Sequence, residues 1–544
     1  MLIGSDHGDF LLSQNIPFRQ AGFIIALLAV VQFILQVSLL TKGMEYAAAS
    51  LVIDDTYYYL QTAWNAKILG FVTFDGLHPT NGVQLLWFAI IFLLAILAKT
   101  KAVLLFTTLV VSFLLNGLCY LMIFKIGAVL KQPVLALFMA SLWALQSLPF
   151  RIYSMGMENS LHALIFWCVI WQSVGFLIRV QNKDKPNFLG LTVILILLVW
   201  TRLDSALISV VLFSFCVGML AYTYRHNLSL FLQRYRKAIL GSSLLAGFGL
   251  IAQLTAFRLM GDSFLPISAL IKTSGTGRGS NIASVDKLAG VFTLGMPSIL
   301  QGRFPTFTLV LLGIFGILLV MLARATLRDH SDEMRAFLNL WSCLLVGEII
   351  YYLYIALSAA EYTPYFIWYR SPSFIFWIMT GSLIALFAFV NTRLIKHPFN
   401  ILKWAPVGFS IVIFAVAIYM FARGVNFSSK LYTARYNAAL WIAKNSSPDT
   451  IFAAWNAGQL GYFSNRRFIN LDGLINNVDY YERVLHGSIS LTDYLMENNV
   501  DFIVDYATYD SIPEFPVVRT FPLNDGSGRS IHMWRVSPQL SSAP

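Results

Sequence analysis

Ala21-Gly-Phe-Ile-Ile-Ala-Leu-Leu-Ala-Val-Val-Gln-Phe-Ile-Leu-Gln-Val-Ser-Leu-Leu40 runs for twenty residues without a charge. Wound as an α-helix, about 20 mostly apolar residues cross the roughly 30 Å hydrocarbon core of a bilayer, so this stretch reads as a membrane helix. Asp6, Asp9 and Arg19 precede it and no small-residue cleavage site follows, the pattern of a retained helix and not of a cleaved signal peptide. Eleven further apolar segments follow, at 83–98, 102–124, 133–148, 161–178, 188–200, 206–222, 238–257, 307–323, 337–357, 374–390 and 404–421. Composition points the same way. Of the 544 residues 57% are hydrophobic and 12% charged, against roughly 45–50% and about 25% in an ordinary soluble domain, and the mean hydropathy is +0.68. The expected fold is an α-helical polytopic membrane protein of about 11–13 transmembrane helices over residues 1–422, followed by a small soluble domain over 423–544.

Lys and Arg in short loops set the orientation. Connectors carrying Arg179, Lys183 and Lys185; Arg225, Arg234, Arg236 and Lys237; Arg324, Arg328 and Arg335; and Arg393, Lys396 and Lys403 alternate with less basic ones and belong in the cytoplasm. Alternation then puts loops 43–82, 150–160, 258–306 and 358–372, with the C-terminal tail, on the outer face. A cytoplasmic N-terminus with an outer C-terminus requires an odd number of crossings, whereas twelve segments are found. The conflict lies between Val83 and Lys131, where segment 83–98 is suspected of failing to span, giving 11 helices; a missed helix would give 13. The net charge of +11 is absorbed by these loops, so no nucleic-acid partner is expected. Cys119, Cys168, Cys216 and Cys343 all lie inside apolar runs and read as buried small hydrophobes, not a disulfide or metal framework.

The polar residues of the outer loops are more than a membrane scaffold needs. The first loop contains Asp54-Asp55-Thr-Tyr-Tyr-Tyr-Leu-Gln61 and Asp75-Gly-Leu-His-Pro-Thr-Asn-Gly82. Adjacent carboxylates at a membrane surface raise one another's pKa and suit one of them as a general base; the same pair also suits the start of a helix. His78 and Asn81 sit in a turn that returns toward the membrane. Glu158 precedes an apolar helix, where the helix dipole favours a carboxylate. Arg202 and Asp204 interrupt some 35 apolar residues and read equally as a functional pair or as an ion pair marking a tight hairpin. Lys272 leads into Thr273-Ser-Gly-Thr-Gly-Arg-Gly-Ser280, a composition shared by phosphate-binding and flexible loops, and no P-loop pattern is present. Arg370 lies among aromatics at the interface, fitting either a lipid phosphate or a snorkelling aromatic belt.

In their order these elements resemble the GT-C class of integral membrane glycosyltransferases that use a polyprenyl-phosphate-linked sugar, in particular bacterial mannosyl- and arabinosyltransferases. The resemblance rests on Asp54-Asp55 through Gln61, Asp75 through Gly82, Trp87, Gly156-Met-Glu158, Thr201-Arg-Leu-Asp204, Pro266-Ile-Ser-Ala-Leu-Ile-Lys272 and the tail element Trp455 through Gly473, and so spans nearly the whole chain. It implies a GT-C-like helical domain in which Asp54 or Asp55, with Asp54 slightly preferred, activates the acceptor. Arg202, Lys272 and Arg370 correspond by position to cations that hold the donor phosphate, with His78, Asn81, Glu158 and Asp204 as further site residues. It also implies a lipid donor, an acceptor glycan, lipid or protein, and a bacterial cytoplasmic membrane with the tail outside; a divalent cation is left open. No signature of the oligosaccharyltransferase, the protein O-mannosyltransferases or the aminoarabinose transferase is found, and no Rossmann fingerprint for a nucleotide. The alternative is a transporter or flippase of a lipid-linked or anionic substrate, which intramembrane charges also mark, although the chain shows no repeated halves. The tail is expected to form helices at 431–444 and 491–498 and strands at 450–455, 467–471, 501–506, 517–521 and 530–535, a small α/β sheet that caps the cavity or binds acceptor.

Overall fold

The structure, a computed structural model, describes residues 16–149, 151–273, 306–328, 331–358, 371–394, 404–425, 429–506 and 515–536. All twelve apolar segments are helical: α1 (Phe18–Ser38), α3 (Leu85–Leu97), α4 (Lys101–Val129), α5 (Pro133–Ser147), α6 (Asn159–Gln181), α7 (Phe188–Thr201), α8 (Ala206–Thr223), α9 (Leu228–Gly261), α11 (Thr306–Arg328), α12 (Asp332–Ser358), α13 (Ser371–Leu394) and α14 (Ala405–Val425). Two helices belong to the loops between them, α2 (Asp54–Leu69) and α10 (Ile267–Thr273). Among the described residues eight helices are long and apolar enough to cross a membrane. The suspect segment is now a helix of 13 residues, which at 1.5 Å per residue reaches about 20 Å, well short of the bilayer core.

Local chemistry sets the helix ends. The side chains of Thr100, Asn187 and Asn227 accept the backbone N–H three residues on, capping α4, α7 and α9. Helix α2 stops at Gly70, whose φ of +80° is a left-handed conformation that glycine adopts without strain. Inside the bundle, Tyr120 donates to Gln32 Oε1 at 2.6 Å and Gln32 donates to Ser147 at 3.0 Å, tying α4, α1 and α5 by polar bonds where apolar packing alone gives little specificity. Trp87, Trp143, Trp167 and Trp341 are fully buried, whereas Phe23, Leu97, Leu244 and Leu259 project outward, as expected of side chains that meet lipid and not water. Cys119, Cys216 and Cys343 are buried and Cys168 partly so; all four thiols are free.

The tail contains the expected elements, with additional helical segments at Ala457–Ser464, Val478–Tyr480 and Tyr481–Leu485. Helix α15 (Lys430–Asn445) leads into β1 (Ile451–Ala454), followed by α16 (Ala457–Ser464), β2 (Arg467–Asn470), α17 (Leu491–Glu497), β3 (Phe502–Tyr506), β4 (Val517–Pro522) and β5 (Ser530–Arg535). Strand order is β2-β1-β3-β5-β4, with β1 parallel to both β2 and β3 and the last two strands antiparallel. Phe452 stacks between Phe468 and Phe502 along one face of the parallel part. Helix α16 is absent from the sequence reading. It lies directly over the start of α2, and this contact joins the sheet to the helical bundle.

Candidate active site

The site is assembled at the ends of several helices. Helix α2 begins at Asp54 with both aspartates in its first turn, where unpaired backbone N–H groups favour negative charge. Residues next to each other on a helix point about 100° apart, so the two carboxylates face different surroundings. Asp54 is buried and accepts the backbone N–H groups of Gly458 and Gln459 at 3.0 and 2.9 Å, which caps α16 from 404 residues away in the chain. Asp55 instead lines a cavity of about 350 Å³. Both carboxylate oxygens of Asp54 thus meet the tail, whereas Asp55 meets the cavity.

Around this cavity stand Glu158, Arg202, Asp204 and Lys272, with Tyr58, Tyr59 and Gln84 from the first loop and Tyr354 from α12. The turn bearing Glu158 is held in place at three points. Gly156 adopts φ +83° and its Cα lies so close to Thr56 that a Cβ there would meet the threonine methyl at 2.9 Å. Thr56 donates to the Met155 carbonyl at 2.8 Å, and the indole of Trp87 donates to the Gly156 carbonyl at 3.1 Å. Glu158 then accepts from Tyr59 at 3.1 Å and from Arg202 at 3.1 Å. Arg202 also forks onto Asp204, at 3.2 and 2.6 Å, and Tyr351 donates to Asp204 at 3.1 Å. Arg202 is only 3% exposed, and its two carboxylates offset the cost of burying it. The Arg202–Asp204 pair is thus an ion pair at a hairpin, and both residues line the cavity.

Lys272 reaches the cavity on the short helix α10. Asn81 sets the position of that helix: its amide donates to the carbonyls of Phe257, Ser263 and Leu265 at 2.9–3.2 Å, and its oxygen accepts the Ile267 N–H at 2.8 Å. Asn81 is therefore a clasp behind the wall, not a lining residue. His78 lies outside the cavity as well, bound to Asp75 at 2.8 Å in a turn whose Asp75 also accepts the Leu77 and His78 N–H groups. That hydrogen bond, opposed by burial, raises the His78 pKa. Arg370, residue 150 and residues 274–280 lie outside the described residues.

Burial pushes the Asp55 carboxyl up to about 6, against the pull of the Lys272 ammonium, with Asp54 and Glu158 adding to the rise. A second carboxyl unassigned in the sequence reading, Asp472, comes from the tail: it accepts from Tyr58 at 3.1 Å and from the Leu474 N–H at 2.9 Å, and burial raises it to about 7. Leu474 itself lines the cavity, so the tail closes one side. The signal for Asp472 lay in the Asn470-Leu-Asp-Gly473 element, and the signal for the tyrosines in the run Tyr57–Tyr59. Among the described residues no group of three His, Cys, Asp or Glu is gathered that could hold a metal ion.

A family profile described as a domain of unknown function, DUF8728, matches residues 425–537, the tail. No curated protein sequence matches the chain. Among solved structures, the oligosaccharyltransferase of Archaeoglobus fulgidus in the apo form is similar over 89% of this chain and 69% of its own, at 13% identity and a TM-score of 0.50. ArnT from Cupriavidus metallidurans bound to undecaprenyl phosphate aligns over 95% and 99% of the two chains at 12% identity and a TM-score of 0.49. At this identity the likeness concerns the fold: the chain is a polytopic membrane protein with a GT-C-like helical architecture and a small C-terminal α/β domain.

Proposed function

We propose that the chain is a glycosyltransferase that moves a sugar, hexose or pentose, from a polyprenyl-phosphate-linked donor to an acceptor glycan, lipid or protein at the outer membrane face. The observation that carries this reading is one cavity in which a carboxyl with a pKa of about 6, Asp55, faces the ammonium of Lys272 across a wall of buried charge. Asp55 accepts the proton of the acceptor hydroxyl while that oxygen bonds to the anomeric carbon. The bond from that carbon to the phosphate oxygen breaks, and its electron pair leaves with the polyprenyl phosphate. Lys272 opposes the charge that grows on this oxygen, joined in the proposal by Arg370. Glu158 and Asp204, with Tyr59 and Tyr351 bound to them, form a fixed wall that orients the sugar, and Arg202 between the two carboxylates adds positive charge toward the donor phosphate. Residues 1–422 carry the chemistry, residues 423–544 cap the cavity from the extracytoplasmic side of a bacterial inner membrane, and mannosyl or arabinosyl transfer is the finer reading.

Purified protein tested with radiolabelled polyprenyl-phosphate sugars and a membrane extract as acceptor decides the matter. Transfer from one donor, abolished in Asp55→Asn without loss of folding, is the expected result. No product from any donor, together with movement of lipid-linked substrate across proteoliposomes, would replace this reading with that of a flippase.

A further inference from the structure

Helix α6 starts beside Glu158 and runs for 23 residues, so its far end at Gln181 lies about 34 Å away at 1.5 Å per residue. There a second cavity, of about 390 Å³, opens between the ends of four helices, lined by Gln181 of α6, Tyr222 of α8, Arg324 of α11, and Arg335, Leu338 and Asn339 of α12. Arg324 donates to Ser342 at 2.6 Å and to Asn339 at 2.7 Å. Both acceptors are neutral. Among the described residues the ion pairs at this end of the bundle are Lys131 with Glu333 and Arg335 with Asp332, and no carboxylate pairs with Arg324. A partly buried guanidinium oriented by neutral groups presents a planar fork that matches the oxygens of a phosphate. The connectors at this end carry Arg179, Lys183, Lys185, Arg225, Arg234, Arg236 and Lys237, which raises the local positive potential further.

We infer that this cavity binds a phosphate-bearing anion, with Arg324 as its principal ligand. Its place between helix ends, with the phenol of Tyr222 exposed at the rim, suits the headgroup of an acidic phospholipid of the adjacent leaflet; free phosphate offers the same chemistry. The site is separate from the cavity of Asp55 and does not depend on the reaction proposed there.

The test measures the unfolding midpoint of the delipidated, detergent-purified full chain with phosphatidylglycerol, phosphatidylcholine or inorganic phosphate added. A ligand that binds only the folded state raises the midpoint. Phosphatidylglycerol is expected to raise it and phosphatidylcholine not. In Arg324→Gln the apparent affinity for phosphatidylglycerol should fall about tenfold or more, the size of a lost charge-assisted contact, while Arg19→Gln, on an exposed side chain outside the cavity lining, leaves it unchanged. A rise with phosphatidylglycerol alone identifies the lipid headgroup, and equal rises with inorganic phosphate identify a soluble anion. No rise with either, or a rise that survives Arg324→Gln, overturns the inference. If Arg324→Gln does not fold, Asn339→Ala, which removes an acceptor that orients Arg324, is read in its place: the affinity is expected to fall, and an unchanged affinity overturns the inference.

Discussion

Replacing Asp54 by asparagine is expected to loosen the C-terminal domain and leave the chemistry intact, whereas the same change at Asp55 does the opposite. The Asp54 carboxylate accepts two backbone N–H groups of α16, at 3.0 and 2.9 Å, in a buried setting. Asparagine retains one acceptor oxygen and turns an amide N–H toward the other donor, so at least one charge-assisted bond of about 1.5–3 kcal/mol is lost. Alanine removes both acceptors, and two buried N–H groups without partners cost about 1–3 kcal/mol each. Against a total stability of about 5–15 kcal/mol, either loss lowers the unfolding midpoint visibly and opens the tail to protease. Gly458→Ala should behave alike with both aspartates retained, because a Cβ there would lie 2.3 Å from the Asp54 carbonyl oxygen and 3.1 Å from its carboxyl carbon. Asp55→Asn removes a carboxyl that burial already disfavours as an anion, so its midpoint should hold while transfer disappears. The assay pairs thermal unfolding and limited proteolysis with sugar transfer measured below the lowest midpoint. An Asp54→Asn protein that unfolds like the parent yet transfers no sugar would refute this division of labour and return the base to Asp54.

Transfer should rise with pH through about 6 as Asp55 loses its proton and becomes able to accept one; a rate that is flat from pH 5 to 8 with chemistry limiting would remove Asp55 from that role. Asp472 titrates near 7 in the folded chain and at the ordinary carboxylate value when unfolded, so the stability it contributes is present below that ordinary value and is lost as pH rises through about 7. Asp472→Asn is thus expected to raise the unfolding midpoint at pH 8 more than at pH 5, and the reverse order would contradict the raised value. Asn81→Ala loses four hydrogen bonds that seat the Lys272 helix, and donor KM should rise about tenfold or more with a smaller change in kcat, since each such bond is worth about 0.5–1.5 kcal/mol. Arg202→Met strips from Glu158 and Asp204 the cation that both are paired with and should cost about 3–5 kcal/mol of stability, the penalty for one half of a buried ion pair left alone.

Much of this architecture is written locally. Twelve apolar runs become twelve helices, and the tail strands fall within a residue or two of their alternating patterns, because membrane partition and side-chain periodicity act over a single element. Helix α16 escaped that reading for an equally local reason. Its sequence, Ala-Gly-Gln-Leu-Gly-Tyr-Phe-Ser, has two glycines in eight residues and weak intrinsic helicity, and the group that caps it is Asp54, on the far side of the chain. The short segment at 83–98 could be suspected from the charge pattern around it, but its 13 helical residues emerge only where the loop chain leaves the helix.

From the sequence alone come the membrane helices, the α/β tail and a set of polar residues in the loops between them. Asp55, Glu158, Arg202, Asp204 and Lys272 could all be named there, because charge beside long apolar runs is costly and so conspicuous. Tertiary structure alone decided that these five line one cavity, that Asp54 serves the tail, and that Asn81 and His78 stand behind the wall. Neighbouring positions on one helix turn differ by about 100°, and which of them meets open space depends on what packs there. For Asp54 that partner is a helix some 400 residues later, a separation over which local patterns carry no information and only packing of the whole chain can choose.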